Sequence, residues 1–295
     1  MTLEDTLSGW TGPSSDTEQE KQERTERMVR QAIDAHDSFN DCALSVYAKG
    51  SYANNTNVRA DSDVDIAVEC TEAEYWDEAK PGAHQASTPY AGIWTPAKLR
   101  TDLGAALKAM FSGQVDTSGS TAIQVNSGSA RVDADVVPCF RYRYHFSSAS
   151  SHEGTKIFKT SGESIVNYPA QQLENGKAKN VRTGYAYKKA VRLLKRGENA
   201  MVEAGAFREL PSYFVECLAY NCPDATFGHS TWTDTLRAML VHIWTELQGE
   251  EPADDAARWR EANECFYLFH ASQKWSRTDG REFAYAAWNH FGFKS

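Results

Sequence analysis

The chain has 295 residues, a formal charge of −9 and 24% charged residues, with a pI near 5.4. That balance argues against tracking a polyanion over a long footprint, which needs clustered Lys and Arg, and leaves small nucleotides open as ligands. No apolar run reaches the roughly 18–20 residues of a membrane span and no secretion leader opens the chain, so a soluble, cytoplasmic protein of about two domains is expected.

Residues 1–16 are rich in Thr, Ser, Gly and Asp and are expected to fray. From Thr17 a charge-rich run through Arg30 to Ala35 predicts a long amphipathic helix with Met28, Val29, Ala32 and Ile33 inward. Leu44 to Ala48 reads as a short strand that delivers the chain into Gly50-Ser51. The six cysteines are scattered without a Cys-x-x-Cys pair. Reduced thiols are expected rather than a zinc site or a disulfide framework.

The stretch from Gly50 to Val68 carries the chemistry. Gly50 lets backbone approach a phosphate closely, and Ser51 adds a hydroxyl and an N–H. Asp63 and Asp65 alternate with Val64, Ile66 and Val68, so on a strand both carboxylates share one face. Such a pair beside a phosphate-gripping turn suits Mg²⁺ held against a triphosphate. Two plainer readings compete. Asp61-x-Asp63-x-Asp65 with Glu72 mimics a calcium loop, but Ile66 stands where that loop needs glycine. An exposed polar turn before an edge strand is the other.

Residues 71–94 contain Pro81, Gly82, Pro89 and Gly92 and predict a loop-like insertion. Thr95-Pro96 marks a helix start, and Leu99, Leu103, Ala106, Leu107 and Met110 keep helical period to Phe111. Residues 121–125 and 131–137 predict a hairpin around Asn126 to Gly128. Its second strand places Arg131, Asp133 and Asp135 on one face, with Pro138 as the stop. Asp135 is the third acid a two-metal site needs; a salt bridge to Arg131 or Arg141 is the alternative for these aspartates.

Beyond about residue 160 the pattern turns helical. A helix from Gln171 is expected to break at Asn175-Gly176. Tyr185 to Glu203 predicts a strong helix with Val191, Leu194 and Met201 in a core stripe and Lys188, Arg192 and Lys195 on one basic face. Such a face is usually solvated; here at least one of the three is expected to reach phosphate. Pro211-Ser212-Tyr213 opens another helix, where Ser212 could hold phosphate or be a simple N-cap, and Tyr213 could stack on a base or sit in the core. Thr231 to Gln248, Ala253 to Ala271 and a short segment near Trp288 are expected to finish a helical lobe.

Gly50-Ser51, Asp63-x-Asp65 and Asp135 before Val136-Val137-Pro138 resemble the polymerase-β-like nucleotidyltransferases, a group that includes poly(A) polymerases, oligoadenylate synthetases and antibiotic nucleotidyltransferases. Downstream, Asn167-Tyr168-Pro169, Tyr187-Lys188, Arg192-Leu193-Leu194-Lys195 and the run from Pro211 to Asp224 are similar to the bacterial cGAS/DncV-like nucleotidyltransferases (CD-NTases) of clade E, CdnE. The resemblance implies an α+β enzyme, with a catalytic lobe (1–160) built on a mixed sheet, a helical lobe (161–295) and the active site in the cleft between. It implies cyclisation of two nucleoside triphosphates into a cyclic dinucleotide, the alarm signal of a CBASS anti-phage system read by a separate effector. Gly50 and Ser51 would hold the donor triphosphate, and Asp63, Asp65 and Asp135 would bind two Mg²⁺, with Mn²⁺ as a substitute. Lys195 and Ser212 would contact phosphates and Tyr213 would stack on a base.

Asn167 falls where an asparagine favours uracil in this clade, and its amide can donate to O4 while accepting from N3–H. Gln273-Lys274-Trp275 fits an Arg/Gln-x-Trp form described for some cyclic di-pyrimidine producers, with a packing Trp275 as the plainer reading. UTP at both positions is favoured, ATP with UTP comes next and CTP is also open; a monomer without long nucleic acid or membrane partners is expected. Transfer of a nucleotide to RNA, an antibiotic or a protein is the rival chemistry. A catalytically dead nucleotide sensor is the rival from another class.

Overall fold

The computed structural model describes residues 2–13, 15–58, 63–84, 89–129 and 131–293. Asp61 of the calcium-loop reading lies outside the described residues. The chain divides into two units, one of Met1–Ser14, Asn54–Val58 and Ala170–Ser295, the other of Ser15–Ala53 and Arg59–Pro169. The division therefore differs from a cut at 160, because the last strand of the sheet still lies ahead of it.

The second unit is built on a mixed sheet, seven-stranded among the described residues. Its strands are β1 (Leu44–Ala48), β2 (Val64–Glu78), β3 (Val115–Asp116), β4 (Ile123–Val125), β5 (Ala134–Ser147), β6 (Ser150–Phe158) and β7 (Ser164–Asn167). The order is β1-β2-β5-β4-β3, with β6 on the later half of β5 and β7 beyond it. β2 and β5 run parallel, while β1, β4 and β6 pair antiparallel with them.

Helices α2 (Asp16–Asp34) and α4 (Pro96–Met110) cover one face. Val29, Ala32 and Ile33 from the first and Leu99, Leu103 and Leu107 from the second pack on Val64, Ile66, Val68 and Val136. Apolar residues at alternate strand positions thus face this core, which leaves Asp65 and Asp135 on the opposite face.

Two expectations for this unit are corrected. Residues 71–78 are strand: β2 passes a register shift between Cys70 and Glu74 and pairs Glu74 to Glu78 with Arg141 to His145. The turn formers that suggested a loop begin only at Pro81. Pro138 also fails to stop its strand. β4 pairs with β5 up to Val136 and β6 takes over from Cys139, so the residue without an N–H sits where the strand changes neighbours.

The helical unit contains α1 (Leu3–Trp10), α5 (Pro169–Arg182), α6 (Tyr187–Glu203), α7 (Ser212–Tyr220), α8 (Trp232–Glu246) and α9 (Arg277–His290). The expected fraying is corrected for Leu3–Trp10, which form α1. Thr2 and Asp5 form a capping box, Leu7 is fully buried in the helical core, and Glu4 accepts from the backbone N–H groups of Trp232 and Thr233 at the start of α8. Burying such a leucine contributes about 1.5–3 kcal/mol, enough to hold a short capped helix.

α5 runs through Gly176 without a break. A Cβ there would come within 2.8 Å of Asn54 Oδ1, so the glycine serves a close approach rather than a turn. Residues 253–271 are not a helix: they hold one 3-10 turn, Asp255–Ala257, and an Arg260–Tyr267 bridge. Asn263 Oδ1 accepts from the N–H groups of Cys265 and Phe266, which turns the chain where the apolar pattern suggested continuation. Among the described residues no helix is long and apolar enough to cross a membrane.

Candidate active site

In the sheet unit a row of polar side chains crosses neighbouring strands. The parallel register sets Asp65 on β2 opposite Asp135 on β5, and Gln124 on β4 lies opposite Asp135 on the other side. On the β1 side, the Lys49 N–H donates to the Asp65 carbonyl at 2.8 Å, extending the β1/β2 ladder by one residue. Lys49, Asp65, Asp135 and Gln124 therefore stand side by side. Gly50 follows Lys49 with φ +71° and opens the four-residue helix α3 (Gly50–Ala53). A Cβ on Gly50 would overlap Asp65 Oδ2, so only glycine lets this turn lie against the carboxylate. Ser51 is half-buried beside it.

The charges in this row are mutually costly. Burial pushes the Asp65 carboxyl above its usual range; Lys49 pulls it back and Asp63 adds to the rise. Burial also raises Asp135, Asp65 raises it further, and a hydrogen bond from Gln124 with the Lys49 charge works against them. Asp135 Oδ1 is buried without a hydrogen-bond partner. Two half-buried, repelling carboxylates with an orphaned oxygen are what a hard divalent cation satisfies.

Asp63, one pleat along, is exposed. Among the described residues no three His, Cys, Asp or Glu side chains stand close enough to hold a metal as they are. The row thus presents a pair of acids rather than a closed triad. Asp133 accepts from the Ser127 N–H, and the Arg131 guanidinium lies over the Phe111 ring, 4.9 Å from its centroid. Asn167 ends β7, half-buried and paired in register with Thr155; its amide has no partner among the described residues.

In the helical unit the predicted basic face does not survive as a set. Lys195 is 2% exposed and bonds Glu216 at 2.9 Å. Glu216, itself 1% exposed, also accepts from Asn54 at 2.7 Å, Thr56 at 2.6 Å and Gln172 at 3.1 Å. Arg192 donates to the carbonyls of Thr11 and Asn55, and burial lowers its pKa to about 10. Both side chains are thus engaged within the fold, Lys195 with Glu216 and Arg192 with two backbone carbonyls. Lys188 differs. It is half-buried, burial lowers its pKa with the Glu216 charge working against that, and its ammonium makes no hydrogen bond or ion pair among the described residues.

Ser212 is exposed at the first turn of α7, whose N-cap is Pro211 with no side-chain cap. The simple-cap reading of Ser212 therefore fails, and its hydroxyl lies beside the free N–H groups of a helix start. Tyr213 is half-buried, with its hydroxyl 3.2 Å from Glu261 Oε2. Trp275 is a packing residue: its indole stacks on Phe214 at 5.2 Å and donates to the Leu268 carbonyl.

Lys49, Gln124, Glu216 and Glu261 were not singled out in the sequence. Lys49 and Gln124 have a signal only once strand register is known, since each is the cross-strand neighbour of an acid. Glu216 and Glu261 sit in helical or irregular runs where buried and solvated glutamates look alike.

A parallel strand pair carrying facing aspartates beside a glycine-serine turn defines a nucleotidyltransferase catalytic sheet. Residues 174–292 match the cGAS/DncV-like nucleotidyltransferase C-terminal helical domain. A Legionella pneumophila protein named cyclic dipyrimidine nucleotide synthase CdnE is 36% identical, covering 97% of each chain. A cyclic dipurine nucleotide synthase of Elizabethkingia meningoseptica is 32% identical over 99% of each. The structure of the Rhodothermus marinus CdnE c-UMP-AMP synthase with Apcpp and Upnpp superposes with a TM-score of 0.83 at 28% identity, covering 100% of this chain and 99% of that one.

The chain belongs to the cGAS/DncV-like nucleotidyltransferases and, within them, is a cyclic dinucleotide synthase of the CdnE type.

Proposed function

We propose that the enzyme joins two nucleoside triphosphates into a pyrimidine-containing cyclic dinucleotide, with c-di-UMP as the main product and cUMP-AMP next. The facing Asp65 and Asp135 carboxylates against Gly50 carry this reading. The 3′-hydroxyl of one nucleotide attacks the α-phosphate of the other, a P–O bond forms, and pyrophosphate leaves with the broken bond's electron pair. A second such step closes the ring. Ser51 and the turn at Gly50 hold the donor phosphates, Lys188 and Ser212 hold further phosphate oxygens, and Tyr213 stacks on a base. The orphaned Asp135 Oδ1 and the crowded acids fit two Mg²⁺ held by Asp63, Asp65 and Asp135. Bound there, the metal supplies charge neutralisation at the reacting phosphate and activation of the hydroxyl.

Base choice rests on Asn167, whose amide, unpartnered among the described residues, can donate to uracil O4 and accept from N3–H. The relatives named for dipyrimidine, dipurine and UMP-AMP products make this the finer question. The product is proposed to act as a second messenger in anti-phage defence, read by a separate effector. Purified protein is incubated with labelled ATP, UTP, CTP and GTP plus Mg²⁺ or Mn²⁺, treated with phosphatase, and the products are separated. A phosphatase-resistant product that needs UTP and disappears in Asp65→Asn supports the reading. A resistant product made from purines alone overturns the base choice, and none at all overturns the activity.

A further inference from the structure

Glu261 is a buried carboxylate, 5% exposed, that the proposed chemistry does not use. It has no ion-pair partner among the described residues; neutral donors hold it instead. Asn263 Nδ2 donates to Oε2 at 2.7 Å, the Tyr213 hydroxyl donates to the same oxygen at 3.2 Å, and Gln273 Nε2 donates to Oε1. Asn263 Nδ2 also lies 3.3 Å from the Tyr213 hydroxyl, and Asn263 is fixed in turn by two backbone N–H groups. Trp275 meets the Tyr213 ring edge-on, with centroids 6.4 Å apart.

Burying a carboxylate without a cation is costly, and here burial raises its pKa against the three hydrogen bonds. A carboxylate kept at that cost inside a small hydrogen-bonded cluster fixes direction: two contacts at the phenolic oxygen pin where the far end of the Tyr213 ring points, and the in-plane preference of its O–H biases the tilt of the ring. Without the bond, the ring next to the open helix start at Ser212 keeps its packing on the core but loses the anchor at its far end. We propose that Glu261 is a positioning residue that holds the Tyr213 ring in the orientation needed to stack on a nucleobase, with Gln273 fixing Glu261 from the other side. The inference rests on the reading of Tyr213 as a base-stacking residue.

The test is a double-mutant cycle read in steady-state kinetics. Tyr213→Phe keeps the ring and loses the tether, and Glu261→Gln keeps the shape and weakens the acceptor. Each single variant should raise KM for UTP about three- to tenfold with kcat within about twofold, the span expected of a loosened aromatic contact. Adding Glu261→Gln to Tyr213→Phe should change KM no further. Gln273→Ala, at a half-buried position where folding is safer, should raise KM in the same way when made alone and have no further effect when combined with Tyr213→Phe. Additive effects overturn the proposal, as does a Glu261→Gln enzyme with unchanged KM. Tyr213→Ala separates the two layers: no change in KM there removes the stacking reading, whereas a large rise with silent Glu261 and Gln273 variants removes the positioning role alone.

Discussion

Gly50 stands against Asp65 so closely that a methyl group on the glycine would overlap a carboxylate oxygen. The glycine also holds φ +71°, which L residues resist. Gly50→Ala should therefore cost about 1–3 kcal/mol through strain and displace the acid. Synthesis is expected to fall at least roughly 100-fold, the penalty for misplacing a reacting group by about an ångström. Thermal melts and product yield check both, and Ser51→Ala, with no steric demand, should leave the melt unmoved.

Asp65 and Asp135 predict an enzyme that becomes more stable as it loses activity. Both carboxyls are raised on folding by burial, with mutual repulsion adding to Asp135. An acid raised in the native state favours folding while protonated, and that stabilisation is lost as pH rises through the folded value. In chelator, the melting temperature should climb as pH falls from neutral toward the ordinary carboxylate range. Asp135→Asn should raise the neutral-pH melt and flatten its pH dependence, while cutting synthesis on the order of 1000-fold. A lower melt than wild type at neutral pH would contradict the account.

The Lys195–Glu216 pair makes the opposite forecast. Burial alone would raise Glu216, but Lys195 and hydrogen bonds from Thr56 and Gln172 bring it below its usual value. Its stabilisation is present above the unfolded carboxylate value and is lost as pH falls through the folded one. Glu216→Gln leaves a buried ammonium uncompensated and should destabilise by roughly 3–5 kcal/mol. Lys195→Met with Glu216→Gln should recover much of that loss, as measured by urea unfolding.

Lys188 is proposed to meet phosphate, while Lys195 and Arg192 are engaged within the fold. Lys188→Ala should raise KM for nucleoside triphosphate about tenfold and leave the melt within about 1 °C. Arg192→Ala, which loses two carbonyl contacts, should instead lower the melt. A reversed pattern, with Arg192 affecting KM alone, would return the basic face to the substrate.

Local signals carried much of the fold. Thr95-Pro96 and the spacing to Met110 define α4 within a residue, and Leu44–Ala48 is the strand expected. The acids on alternate positions were legible because strand parity is a local property. What a sequence does not display is register and burial. Lys195 and Lys188 have the same composition and the same helical face, and only the position of Glu216 separates a structural cation from an unpartnered one. Residues 253–271 kept apolar content without helical order because Asn263 caps its own turn. Residues 1–16 looked expendable because the partner of Glu4 is 228 positions away.

That separation has a consequence for biosynthesis. Leu7 leaves the ribosome long before α6 and α8, the helices against which α1 packs. The nascent α1 must wait, its apolar side uncovered, until the codons for α8 have been read. Ribosome-bound chains arrested ahead of Trp232 should therefore leave Leu7 open to a folding chaperone, and protection of that segment should arrive only once α8 is complete.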